Sequence, residues 1–155
     1  MTKFLFGRVS VLCILQYFKN FSLFIITLKI FYSYAIRMAA SRYVGALLNS
    51  REQAHVFHFR TNSYAQHKAL QAYYEGIVPL LDSWAEAYMG KYGRLPRVTA
   101  NKRFIQDPKK ARVYFKTLLA RVKRIRLPRG DTYLKNIQDE ITALIRSTLY
   151  MLSLH

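Results

Sequence analysis

A chain of 155 residues has room for one domain around a single core, and its 52% hydrophobic content excludes disorder. Lys and Arg number 25 against 8 Asp and Glu, a formal net charge of +17. A surplus of that size points to a polyanionic partner, either nucleic acid or an anionic membrane surface.

Residues 1–37 differ in kind from the rest. They hold six of the ten Phe and one Ala, Ala35, whereas residues 38–155 hold thirteen Ala. The run Val11–Ile36 is apolar enough to suggest a membrane segment, but Lys19, Asn20 and Lys29 interrupt it. A spanning helix needs roughly 20 apolar residues, and a charge near the bilayer centre costs roughly 2.5–3.5 kcal/mol on insertion scales. No small-residue cleavage site follows, so a signal peptide fits poorly. Three readings stay open: translated upstream sequence ahead of a start at Met38, a membrane or interfacial helix within residues 11–36, or an extra packed helix. The one cysteine, Cys13, cannot form an internal disulfide and leaves no CxxC pair for zinc, which suits a reducing compartment.

From residue 38 onward the pattern predicts four amphipathic helices and no strand, hence an all-α four-helix bundle over 38–155. The first runs from about Ala39 to Phe59, with Val44, Leu47, Leu48, Arg51, His55 and His58 on one face. The second runs from about Tyr64 to Met89, opened by a Ser63/Gln66 capping box and stopped at Gly90. Its stripe is Leu70, Tyr74, Ile77, Leu81, Trp84 and Tyr88, with Pro79 expected to bend it. Residues 91–106, with Gly93 and Pro96, read as a loop, and this long connection allows a bundle crossover or a small extra helix. The third helix opens on Asp107 and Pro108 and is expected to reach about Leu127, with Ala111, Phe115, Leu118, Leu119 and Val122 inward. Pro128 and Gly130 end it. The fourth runs from Asp131 to about Leu152 on a stripe of Leu134, Ile137, Ile141, Leu144, Ile145, Thr148, Leu149 and Leu152.

Metal-capable side chains occur at His55, His58, His67, Asp82 and Glu86. Imidazole and carboxylate together suit iron or zinc. On a wheel of about 100° per residue with His67 at zero, Asp82 falls near 60° and Glu86 near 100°, whereas the apolar stripe centres near 300°. The two carboxylates are one turn apart and off the subunit's own core, so they are solvated or covered by a second subunit. The alternative to a ligand set is an ordinary wet acidic face beside hydrogen-bonded histidines. Trp84, on the apolar stripe, packs rather than serving as a radical trap.

The spacing Gln53-Ala54-His55, then His67, then Asp82-Ser83-Trp84-Ala85-Glu86 resembles the Dps-type miniferritins of the ferritin-like superfamily. Asn136, Asp139, Glu140 and the Tyr150-Met151-Leu152 end resemble that family's last helix more loosely. Ala54-His55-x-x-His58 followed by Ser63-Tyr64-Ala65-x-His67-x-Ala69-Leu70 is closer still to a Dps-related family of uncharacterised phage proteins. The resemblance implies a four-helix bundle assembled into a dodecamer that oxidises and stores iron (Fe2+/Fe3+). It also implies a ferroxidase site between subunits, with His55 and His67 of one facing Asp82 and Glu86 of the next. Two departures stand out. Val56 follows His55 where the family usually has Trp, so His58 replaces or joins His55, and Ala87 follows Glu86 where the family has Arg.

Between Lys91 and Arg129 lie fourteen Lys/Arg and one acid, Asp107. The dense part is Lys109, Lys110, Arg112, Lys116, Arg121, Lys123, Arg124, Arg126 and Arg129. Ordinary solvated helix faces mix charge signs; this one does not, which suits sequence-independent phosphate contact. The expected function is a Dps-like protein that binds DNA without sequence preference and oxidises Fe(II), in the cytoplasm or a host cytoplasm. The alternative is a non-catalytic nucleic-acid-binding structural protein on the same fold, and a third reading hangs a soluble bundle from a membrane helix at 11–36.

Overall fold

The computed structural model describes residues 11–100, 103–124 and 130–154, with side chains described from Leu23 onward. The chain is all-α: among the described residues there are four α-helices and no strand. They are α1 (Val11–Arg60), α2 (Tyr64–Tyr92), α3 (Ala111–Val122) and α4 (Thr132–Met151), with one 3-10 turn, Pro108–Lys110, ahead of α3. Two compact units divide the chain, Met1–Ala35 and Ile36–His155. In the first, Leu23, Phe24, Ile26, Leu28, Ile30, Phe31, Tyr32 and Tyr34 are all exposed. The stretch Leu23–Arg60 is long and apolar enough to cross a membrane by length and composition alone.

The second unit is built on an antiparallel pair. Tyr43 meets Trp84 (ring centroids 4.5 Å), Ser50 bonds Tyr73 (2.6 Å) and His58 stacks on His67 (3.7 Å), so positions rising along α1 meet positions falling along α2. Ser50 Oγ already donates to the Leu47 carbonyl at 2.7 Å. A serine has one hydroxyl hydrogen, so the Tyr73 phenol is the donor to Ser50. That bond ties two fully buried polar groups together across the core.

The segment after α2 does not hang in solvent. It runs back along α1: Arg37 donates to the Arg94 carbonyl (2.6 Å), Gln53 both donates to and accepts from the Ile105 backbone (2.8 Å each), and Arg60 donates to the Gln106 carbonyl (2.7 Å). The buried Gln53 amide thereby supplies the pairing that a neighbouring strand would give. Gly45 is what lets the segment close in. A Cβ there would sit 2.5 Å from the Thr99 carbonyl oxygen.

This crossover delivers α3 to the end where α1 stops and α2 starts. Phe115 packs edge-on against Tyr73 (4.6 Å) and Tyr114 against Phe57 (5.9 Å), while Gln66 donates to the Pro108 carbonyl (3.0 Å). α3 therefore runs in the same direction as α2, across the core from it. α4 returns antiparallel: Asp131 at its start meets Lys91 and Tyr92 at the end of α2, and Gly76 in mid-α2 faces Leu144. The connectivity is up-down-down-up, with one long crossover.

The expected core stripes are largely buried. Leu70, Ile77, Leu81, Trp84 and Tyr88 from α2 meet Ala111, Phe115, Leu118 and Val122 from α3 and Leu134, Ile141, Ile145 and Thr148 from α4. Several sequence-based details differ. Leu48 is 40% exposed because the core face of α1 runs through Val44, Leu47, Ala54 and Phe57. Tyr73, off the expected stripe, is fully buried by its bond to Ser50. α2 runs on to Tyr92, and Gly93, at φ 80°, is the terminating residue, a left-handed position that favours glycine.

Only half of the expected capping box forms. Ser63 accepts from the Gln66 amide (3.3 Å), but the Gln66 side chain turns to Thr61 and Pro108. The third helix ends at Val122 rather than Leu127, with Lys123 and Arg124 in a turn and the Val122 carbonyl taken by Gln138 (3.2 Å). Asp131 stands at the expected N-cap, yet its carboxylate serves Lys91 and Tyr92 instead of the helix amides.

Candidate functional site

The α1–α2 corner gathers three of the four histidines. His58 Nδ1 lies 3.1 Å from the His67 carbonyl oxygen, and His67 Nδ1 lies 3.3 Å from the His58 carbonyl oxygen. A carbonyl only accepts, so both Nδ1 atoms act as donors, and on a neutral ring Nε2 is then the acceptor. Metal-binding imidazoles show the same arrangement, with one nitrogen pinned to a carbonyl and the other left for the ligand. His55 lies near them, its ring 5.9 Å from His58, stacked between Phe59 (4.5 Å) and Tyr74 (4.4 Å). A shallow cavity of about 300 Å³, lined by Thr61, Asn62, Ser63, Tyr64 and His67, opens beside this corner. His58 itself is buried, whereas His55 and His67 are half-exposed.

The carboxylates are elsewhere. Asp82 and Glu86 are exposed on α2, off its buried face, as the wheel requires. Fifteen residues of helix separate His67 from Asp82, about 22 Å at the usual rise. Among the described residues, no three His, Cys, Asp or Glu side chains of one chain converge on a point that a metal ion could occupy. The structure thus brings His55, His58 and His67 together and leaves Asp82 and Glu86 about half to two-thirds of α2 away.

The basic segment is on the surface. Lys109, Lys110, Arg112, Lys116, Arg121, Lys123 and Arg124 are all exposed, while Arg126 and Arg129 lie outside the described residues. Between Pro108 and Arg124 there is no acid in the sequence. The two ion pairs among the described residues, Arg51 with Glu52 and Lys91 with Asp131, involve none of these cations. Lys109, Arg112, Lys116 and Lys123 follow at three-, four- and seven-residue steps, so they form one stripe along α3. Lys110, Arg121 and Arg124 form a second beside it.

One feature has no local signal in the sequence. A cavity of about 690 Å³ opens between α1 and α3, lined by Ala39, Arg42, Tyr43, Arg121 and Arg124. Arg42 and Arg121 are far apart in the chain, and only the crossover, which sets α3 antiparallel to α1, places them on one cavity.

A family model matches residues 58–152, most of the second unit. The chain belongs to the family of unknown function DUF5856. The DUF5856 match includes His58, His67, Asp82 and Glu86 and the whole basic stretch, and it begins after His55. A curated relative is an uncharacterized 14.6 kDa protein from the mobD-ri intergenic region of Enterobacteria phage T4, 38% identical over 55 residues. The aligned part is 36% of this chain and 43% of that protein, so the chain spans less than half the length of the relative it matches. The expected tie to uncharacterised phage proteins is met at that level; neither match carries a Dps or ferritin-like label. No solved structure matches the chain.

Proposed function

We propose that this DUF5856 protein binds nucleic acid, without sequence preference, through the basic face of α3. The observation that carries the reading is the run of exposed, unneutralised cations from Lys109 to Arg124. It covers about 22 Å of helix, enough to meet several successive phosphates at 3.4 Å of rise per strand. Lys and Arg contacts to phosphate fix position without reading sequence. The chain acts in the cytoplasm in this reading, on its own or a host's DNA.

The test is binding of the full chain to two duplexes of unrelated sequence over a salt series. Equal affinities and a slope of log K against log salt of about −4.5 to −6.3 are expected for about five to seven phosphate contacts. Strong preference for one duplex, or affinity that ignores salt, overturns the reading.

A second reading rests on the histidine corner and the connectivity: the chain is a Dps-like ferroxidase as well. One crossover between the second and third helices is the connectivity of ferritin-like folds. The tautomers of His58 and His67 leave both Nε2 lone pairs available for Fe(II) as substrate. The 22 Å offset to Asp82 and Glu86 demands a two-fold partner whose axis passes near Glu75, which would set one chain's imidazoles against the other's acids. His55, His58 and His67 would then supply nitrogen and Asp82 and Glu86 oxygen to the iron, with electrons passing to hydrogen peroxide or dioxygen. Assembly into a larger shell follows from the same resemblance. The experiment is Fe(II) addition with peroxide, read by ferric absorbance, on wild type and on Glu86→Ala.

A further inference from the structure

Three arginines line the cavity between α1 and α3. Arg42 comes from α1, Arg121 from the last turn of α3 and Arg124 from just beyond it. Among the described residues no acid lines the space. Ala39 and Tyr43 form its apolar wall. The Tyr43 hydroxyl is buried with no hydrogen-bond partner, so Tyr43 offers this space its ring and not its phenol oxygen. Like charges gathered without a counter-charge repel one another unless an anion occupies the centre. Guanidinium forks suit one anion above others: their planar paired donors match phosphate oxygens bidentately. The volume, about 690 Å³, falls within the range of small-molecule sites.

From this convergence we infer a binding site for a phosphomonoester, the terminal phosphate of a nucleic acid strand or a free phosphate. A monoester is dianionic near neutrality and has three unesterified oxygens, so three forks can each take a share. A phosphate within a strand has one negative charge and two free oxygens, and chain leaves it on both sides. A cavity walled by two helices admits an end more readily than a middle. The aromatic ring and the alanine methyl then face the sugar and base that follow. The inference deepens the nucleic-acid reading, because Arg121 and Arg124 belong to the basic face, but it adds Arg42 and a polarity: the α3 face would hold the strand and the cavity its end.

The test uses the full chain and a single-stranded oligonucleotide of one sequence, with either a 5′-phosphate or a 5′-hydroxyl. A 3′-phosphorylated version and inorganic phosphate complete the set. Wild type should prefer one phosphorylated end over the hydroxyl by about tenfold, the increment of one charge-assisted contact. Arg42→Gln should lose the preference while binding the hydroxyl oligonucleotide as wild type does. Arg42 is exposed, so the variant should fold, and circular dichroism melting checks that it does. Equal binding of all three oligonucleotides by wild type overturns the site and leaves the nucleic-acid reading intact. A preference that survives in Arg42→Gln also overturns it. If no oligonucleotide binds but inorganic phosphate raises the melting temperature of wild type and not of Arg42→Gln, the site takes free phosphate and the nucleic-acid reading falls. If phosphate does nothing either, both fall.

Discussion

Gly45→Ala isolates the packing of the crossover on α1, on which the whole connectivity depends. Alanine in a helix interior is favoured over glycine by about 0.8–1.0 kcal/mol, so propensity alone makes this a stabilising change. The structure reverses the sign. The new Cβ would lie 2.5 Å from the Thr99 carbonyl oxygen and 3.5 Å from the Thr99 carbonyl carbon, and the obstacle is backbone. The segment cannot drift freely, since Arg37 holds it at Arg94 and Gln53 and Arg60 hold it at Ile105 and Gln106. Overpacking of this kind costs about 1–3 kcal/mol. Loosening the Gln53 pair adds roughly 0.5–1.5 kcal/mol for each hydrogen bond lost. Against the propensity gain, the net loss is about 1–3 kcal/mol, a fall of roughly 4–12 °C in melting temperature for a domain of this size. Gly90→Ala is the matched control. It is also in a helix, with nothing within 4 Å of its Cβ, and should gain up to about 1 kcal/mol. Both are read by thermal circular dichroism of the full chain. Gly45→Ala melting at or above wild type would show that Thr99 does not lie against α1 there.

Asp131 gives a pH prediction. Hydrogen bonds from Lys91 and Tyr92 hold its carboxyl below the usual carboxylate range. Its contribution is therefore complete above the unfolded value, near pH 4, and is lost as pH falls through the lower folded value. Melting temperature followed from pH 6 to pH 2 should show a component of the acid loss that Asp131→Asn lacks; identical acid profiles would refute the link. In the iron assay, wild type should produce ferric absorbance faster than buffer, and Glu86→Ala and His67→Ala should not. A wild-type rate equal to buffer ends the ferroxidase reading while leaving nucleic-acid binding untouched. If the site is shared across a two-fold axis, Glu86→Ala mixed with His67→Ala should recover part of the activity that each lacks alone.

The helices were legible because their signals are local. Leu70, Ile77, Leu81, Trp84 and Tyr88 recur at helical spacing, and all are buried. The carboxylates' place off the core followed from the same wheel. What the sequence hid is what depends on chain segments meeting. Nothing near Gln53 announces that its amide pairs with Ile105, and nothing near Gly45 announces Thr99. Tyr73 falls off the α2 stripe read from the sequence, but the hydroxyl of Ser50 across the core lets it bury fully. Gly90 looked like a terminator because it is the first glycine after the stripe, yet only Gly93 has the positive φ that ends the helix. The α1–α3 cavity was illegible for the same reason: Arg42 joins Arg121 and Arg124 only once the crossover has set α3 antiparallel to α1.

The central claim is that the α3 cations hold phosphate, and the salt dependence of a charge-neutralised variant tests it most directly. Arg112→Gln with Lys116→Gln removes two exposed charges from one stripe without touching a buried residue. Each phosphate contact contributes about 0.9 to the slope of log K against log salt. The slope should therefore become shallower by roughly 2, with affinity lowered equally for two unrelated duplexes. An unchanged slope in a variant that still folds would contradict the claim.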